Sequence, residues 1–235
     1  MPLTTPPAPL AIAFDVDETL VSTGGAGARS WARGFNKLWG VAADISQFTK
    51  GGMTDPEVGR ITFRGVMKRD PTPDELARLM HEYLLVLPEE VSNSPGYHIL
   101  PGVRELLTRL VEAGILVGIT SGAVEAATHI KLARAELNQF FSFGGFGSDS
   151  TDRGELTRVA IRRAGVVRGA PLDPARVCVV GDTPLDITAA HAAGAFGIGV
   201  ATGKYTLDQL EEAGADHALK DLTQPFPGLE PAPST

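Results

Sequence analysis

The sequence predicts an α/β protein, a doubly wound parallel sheet with an all-helical segment inserted after its first strand. Three observations lead there. The run Leu10-Ala11-Ile12-Ala13-Phe14 is apolar and uncharged and ends abruptly in Asp15-Val16-Asp17-Glu18-Thr19, as a strand buried on both faces does. From His98 onward, short apolar runs alternate with segments of helical length, the signature of parallel βαβ units. Between them, from Arg29 to about Leu87, helical periodicity runs on with no strand signal. At 235 residues, 43% of them hydrophobic and 21% charged, the chain has ample material for a core.

Taken in order, residues 1–9 and 225–235 are rich in Pro and read as loose tails. Gly24-Gly25-Ala26-Gly27 is a turning connection that lacks the Gly-Lys-Ser/Thr ending of a P-loop. In the insert, Trp31, Phe35, Leu38 and Trp39 share one helix face, with Arg29, Arg33 and Lys37 on another. Thr54-Asp55-Pro56-Glu57 and Thr72-Pro73-Asp74-Glu75 each read as a capping box opening a helix. Leu76, Leu79, Met80, Tyr83, Leu84 and Leu87 form a packing stripe. Beyond it, a helix from Val103 is closed by Gly114, and Ile115 to Ile119 is a strand ending in Thr120-Ser121-Gly122. A helix from about Val124 to Asn138 follows, then a strand through Phe141 to Phe146, and a helix from Glu155 to Ala164 stopped by Gly165. Val177 to Val180 is a strand ending at Gly181-Asp182, and Pro184 to Ala193 a helix stopped by Gly194. Phe196 to Val200 is another strand and Leu207 to Ala213 another helix. The organisation expected is a discontinuous α/β core of residues 10–22 and 97–224 and a helical unit of residues 23–96.

A net charge of −7 argues against a nucleic-acid partner or an anionic membrane surface. No apolar run approaches a membrane span, and the Pro-rich start does not read as a signal peptide. The single cysteine, Cys178, lies in an apolar run and reads as a buried thiol, so a reducing, cytoplasmic setting is expected. Five histidines, His81, His98, His129, His191 and His217, show no ligand spacing.

Ligands of open α/β sheets bind at the carboxyl ends of the strands. Those ends deliver Asp15 and Asp17, then Thr120 and Ser121, then Asp182 with Asp186 four residues on, while Arg153 precedes the helix after the third strand. In a parallel sheet all of them meet at one edge. Carboxylates so crowded resist ionisation unless a cation compensates. Oxygen donors without a Cys/His cluster suit Mg²⁺, which keeps positions for water and phosphate oxygens. Cation and Arg153 together would attract a phosphate, and the Thr120 hydroxyl would bind its oxygens. Each residue also has a structural reading: Asp186 completes a capping box with Thr183, Thr120 and Ser121 suit a helix cap, and Arg153 suits a solvated surface.

These motifs resemble the haloacid-dehalogenase superfamily of phosphotransferases over essentially the whole chain apart from the tails. Asp15-Val16-Asp17-Glu18-Thr19-Leu20 resembles its first motif, Thr120 its second, Arg153 stands near its third, and Gly181-Asp182-Thr183-Pro184-Leu185-Asp186 resembles its fourth. The helical insert is similar to the cap of the phosphoglycolate-phosphatase-like branch. The resemblance implies a phosphoric monoester hydrolase with Asp15 as nucleophile, forming an aspartyl-phosphate, and Asp17 as general acid and base. It implies Mg²⁺ held by Asp15, the Asp17 backbone carbonyl and Asp182, with Asp186 in support, and a phosphate clamp of Thr120, Ser121 and Arg153. Two departures stand out. Glu18 replaces the commoner Gly, with a side chain that need not face the site, and Arg153 stands where Lys is more usual. Lys131, in mid-helix, is a rival for that third role, and Lys50 in the loop Lys50-Gly51-Gly52-Met53-Thr54 is the cap candidate for substrate contact. The expected partner is a small phosphorylated metabolite, acted on by a monomer or homodimer. A phosphosugar mutase of the same fold and a non-catalytic phospho-accepting module, of the kind that receiver-like domains represent, are the alternatives.

Overall fold

The computed structural model describes residues 8–229. At its centre lies a sheet of six strands: β1 (Ala11–Phe14), β4 (Leu116–Ser121), β5 (Phe143–Phe146), β6 (Val177–Gly181), β7 (Phe196–Val200) and β8 (His217–Leu219). They stand in the order β5-β4-β1-β6-β7-β8, every neighbouring pair parallel. Strand β1 buries all four of its side chains. Ile12 and Phe14 point into one apolar cluster, shared with Leu106, Leu107 and Leu110 of α4 (Val103–Glu112). Ala11 and Ala13 point into another, shared with Ala160, Ile161 and Ala164 of α6 (Arg153–Arg168). That two-sided burial is why the strand reads as an unbroken apolar run.

The insert is built from α1 (Ala26–Trp39), α2 (Asp55–Met67) and α3 (Pro73–Asn93). Both expected capping boxes, at Thr54 and Thr72, are present. Trp31 stacks on Tyr83 with centroids 4.3 Å apart, and the basic face of α1 pairs with Glu82, Glu89 and Glu90 of α3. The insert's apolar cluster continues into the core through Ala123, Val124 and Ala127 at the start of α5 (Glu125–Ala133), so the two units share packing. A two-stranded antiparallel ribbon, β2 (Val21–Thr23) with β3 (Tyr97–Ile99), forms the doorway between them.

Several expectations need correction. Gly165 does not stop α6. The helix runs on to Arg168, where Gly169 supplies the left-handed φ of +78°, and Gly165 instead leaves room for the returning chain at Ala170–Leu172. The helix after β4 ends at Ala133, short of Asn138, whose side-chain amide donates to the freed His129 carbonyl. Helix α7 (Pro184–Ala192) ends before Gly194 as expected, and α8 (Leu207–Glu212) completes the order. The expected tails lie mostly outside the described residues, but Phe226 is buried in the main core, so the chain is anchored beyond residue 225. Cys178 is buried, which pushes its thiol up to about 12. Among the described residues, no helix is long and apolar enough to cross a membrane.

Candidate active site

Register explains the convergence. Phe14 is level with Ile119 of β4 and with Val180 of β6, so the residues just beyond, Asp15, Thr120 and Gly181-Asp182, emerge together at one sheet edge. The Asp15 N–H donates to the Val180 carbonyl at 2.8 Å, fixing that end of the chain. Carboxylate oxygens of Asp15, Asp182 and Asp186 all lie within 4.8 Å of one another, and all three residues are buried. Arg153, the first residue of α6, brings Nη1 to 3.9 Å from Asp15 Oδ1 and its other nitrogen onto Asp186 Oδ1. Beside them the Thr120 hydroxyl and Arg153 Nε are buried with no hydrogen-bond partner among the described residues. Unpartnered buried polar atoms are costly, and these two are donors beside an acidic cluster.

The three carboxylates are not equivalent. Asp186 Oδ2 accepts from the Thr183 N–H at 3.1 Å and the Thr183 hydroxyl at 2.7 Å, while its Oδ1 is taken by Arg153. It is therefore both a helix cap and a brace for Arg153, as well as a member of the acidic cluster. Asp15 and Asp182, less engaged by hydrogen bonds, are the candidate direct ligands. The loop after β7 crowds Asp182, and a Cβ on Gly203 would fall 1.8 Å from Asp182 Oδ2.

Burial raises Asp15 to about 7, with Asp186 and Asp17 adding to the rise and Arg153 opposing it. Burial, then Asp186 and Asp15, raises Asp182 to about 9. Such groups ask for a cation, and a hard-oxygen donor set fits Mg²⁺. A carboxyl whose folded pKa lies above its unfolded value of 3.8 stabilises the fold fully below that value and loses the contribution as pH rises through the folded pKa. The melting temperature of chelator-treated protein is thus expected to fall between about pH 5 and pH 9, and added Mg²⁺ to raise it more near pH 8 than near pH 5. Thermal melts at both pH values check this, and equal shifts would contradict it.

A cavity of about 400 Å³ opens between core and cap, lined by Asp15, Asp17, Lys131, Arg153 and Asp182 from the core and by Gly51, Gly52, Met53 and Asp55 from the cap. Lys50 is not among its lining residues. It lines a neighbouring hollow with Glu57 and Thr151, because the turn at Gly51-Gly52 carries the chain against Thr183 and Lys204 instead. Sequence reasoning missed Asp55. Its N–H donates to the Gly122 carbonyl at 2.8 Å and its Oδ2 accepts from the Val124 N–H at 2.9 Å, tying the cap to the loop after β4. Met53 approaches that loop so closely that a Cβ on Gly122 would lie 2.5 Å from its carbonyl oxygen. Ser121 is buried, and its hydroxyl accepts from the Ala123 N–H at 3.3 Å.

Glu18 is among the residues lining the cavity, and its side-chain Oε1 accepts from the Ser22 hydroxyl at 2.9 Å. Its φ of +56° explains why Gly suits this turn, and the Glu18 carbonyl accepts from the Thr202 hydroxyl at 2.6 Å. Glu18→Gly is expected to relieve that strain and raise the melting temperature by about 1–2 °C; a lower melting temperature would contradict it. Lys131 is buried with its ammonium on Asp17 Oδ2, whereas Arg153 serves Asp15 and Asp186. The histidines take other partners, His191 with Asp216 and His129 with Asn138.

Comparison with known proteins agrees with this geometry. Residues 9–194 match the family described as haloacid dehalogenase-like hydrolase. A curated relative from Dickeya dadantii (strain 3937), named "Probable phosphatase IndB", is 31% identical over 172 residues, 65% of this chain and 71% of that protein. Among solved structures, one described as a predicted phosphoglycolate phosphatase from Haemophilus somnus 129PT superposes with a TM-score of 0.72 at 19% identity, covering 91% of this chain and 94% of that one. A β-phosphoglucomutase from Clostridium difficile superposes with a TM-score of 0.70 at 19% identity, covering 91% of each chain. At such identities the superpositions establish the fold.

Proposed function

The chain belongs to the haloacid dehalogenase-like hydrolases, and from that premise we propose that it is a Mg²⁺-dependent phosphatase that releases phosphate from a small phosphorylated metabolite through an aspartyl-phosphate on Asp15. The observation that carries this reading is the grouping of Asp15 with Asp182 and Arg153 in the lining of one cavity, with the buried Thr120 hydroxyl on the strand next to Asp15. Its volume of about 400 Å³ suits a small phosphate ester.

In the first step a carboxylate oxygen of Asp15 bonds to phosphorus as the ester P–O bond breaks. The electron pair leaves on the ester oxygen, which takes a proton from the Asp17 carboxyl. In the second, Asp17, now a carboxylate, takes a proton from water as that water's oxygen bonds to phosphorus. The Asp15–phosphorus bond breaks, freeing phosphate and restoring Asp15. Arg153, braced by Asp186, and the Thr120 hydroxyl bind the phosphoryl oxygens and favour the spread of charge at the transition state. Ser121 supports them by shaping the loop that follows. Mg²⁺, held by Asp15 and Asp182 with the Asp17 carbonyl and Asp186 in support, would supply charge neutralisation for the dianionic ester. The cap, tied down through Asp55, restricts bulk water during the chemistry.

A panel of phosphorylated metabolites, assayed with Mg²⁺ and again after chelation, tests the proposal. The expected result is metal-dependent phosphate release from at least one member. Conversion of a sugar phosphate to its isomer without phosphate release would identify a mutase, and stable phosphorylation without turnover a regulatory module; either would overturn the phosphatase reading.

A further inference from the structure

The site holds two buried cations, and they divide their work. Arg153 pairs with the nucleophile and Asp186, while Lys131 makes its ion pair with Asp17, the carboxylate assigned to proton transfer. The Lys131 side chain is 6% exposed, whereas the Asp17 side chain it contacts is 42% exposed. A half-exposed aspartate at a cavity wall has rotational freedom, and a buried, fixed ammonium removes it. Lys131 is itself held from behind: the Tyr97 hydroxyl donates to its backbone carbonyl at 2.7 Å, linking α5 to the doorway strand β3. Burial alone would lower the Lys131 pKa, but Asp17, Tyr83 and Asp55 outweigh it and keep the group an ammonium. Two of those three, Tyr83 and Asp55, come from the cap.

We propose that Lys131 is a positioning residue for the acid–base step, holding the Asp17 carboxyl at the cavity wall where the leaving oxygen emerges; this rests on the phosphatase reading above. It acts through Asp17, and the phosphate itself is left to Arg153 and Thr120. The distinction has a chemical signature. A phenolate with an electron-withdrawing group departs without a proton, whereas an alkoxide needs one, so a misplaced general acid slows alkyl esters selectively. Loss of a phosphate-binding cation slows both.

The test compares kcat/KM, which reports the transfer onto Asp15, for an alkyl phosphate from the active panel and for p-nitrophenyl phosphate. Lys131→Met is expected to lower the alkyl-to-aryl ratio by about 10- to 100-fold. Lys131→Arg, which keeps the charge and gives a second reading should the Met variant fold poorly, is expected to recover most of that ratio. Asp17→Asn should lower the ratio further still. Equal losses on both esters in Lys131→Met, with Asp17→Asn remaining selective, would overturn the proposal while leaving the Asp17 assignment standing. No selectivity in Asp17→Asn would remove the acid–base role and the positioning role with it.

Discussion

Asp15→Asn is expected to lower kcat for phosphate release by about 10⁴-fold or more, to the background of the assay. The amide is nearly isosteric and keeps the backbone hydrogen bond to Val180, yet it has no anionic oxygen to bond to phosphorus. Folding is not at stake. Asp15 is already pushed up to about 7 by burial and by Asp186, so a neutral side chain relieves repulsion, and the metal-free variant is expected to melt no lower than the wild type. Phosphate release on the active substrate, beside a thermal melt, separates the two effects. Release at the wild-type rate would mean another group takes the phosphoryl.

The second large effect is expected at Asp182. Asp186 has both oxygens engaged by Thr183 and Arg153, whereas Asp182 accepts only a long 3.5 Å bond from the Thr19 hydroxyl and is the freer direct ligand. Asp182→Asn should therefore weaken Mg²⁺ binding and cost about 10²- to 10³-fold in kcat/KM at a fixed, limiting Mg²⁺ concentration. Part of the loss should return as Mg²⁺ is raised. A Mg²⁺ titration of activity makes the comparison, and an unchanged half-saturating concentration would contradict the ligand assignment.

The parallel sheet was legible because buried strands leave a coarse mark. Ala11–Phe14 and Val177–Gly181 are apolar throughout, and polar residues follow both at once. Sheet order then carries those polar residues to one edge whatever their distance along the chain. Short elements were not legible. The three-residue strands β2, β3 and β8 carry too little pattern to stand out, although β2 and β3 frame the passage between core and cap. Helix ends were misread where a local signal competed with packing. Gly165 looked like a stop, but its lack of a side chain serves the close return of Ala170–Leu172.

At the site, the strand-end residues were readable and the cap residues were not. Thr54-Asp55-Pro56-Glu57 announces a helix start and provides one. Nothing in that local pattern says that Asp55 will reach the Val124 N–H, because the contact depends on how the insert docks. The placing of Lys50 depends on docking in the same way. Its charge is visible in sequence, but the left-handed turn at Gly52, with a φ of +84°, directs the loop's glycines to the cavity and leaves Lys50 outside the lining. Lys131 shows the opposite case: its position in mid-helix argued against a role, yet that helix face is turned toward Asp17.

The most direct test is to quench the enzyme during turnover with Mg²⁺ and an active phosphate ester, digest it, and locate the phosphoryl group by mass spectrometry. It should sit on Asp15, should vanish when Mg²⁺ is chelated, and should be absent from Asp15→Asn. Phosphate released at the wild-type rate with the label on another residue, or with Asp15→Asn turning over normally, would contradict the account.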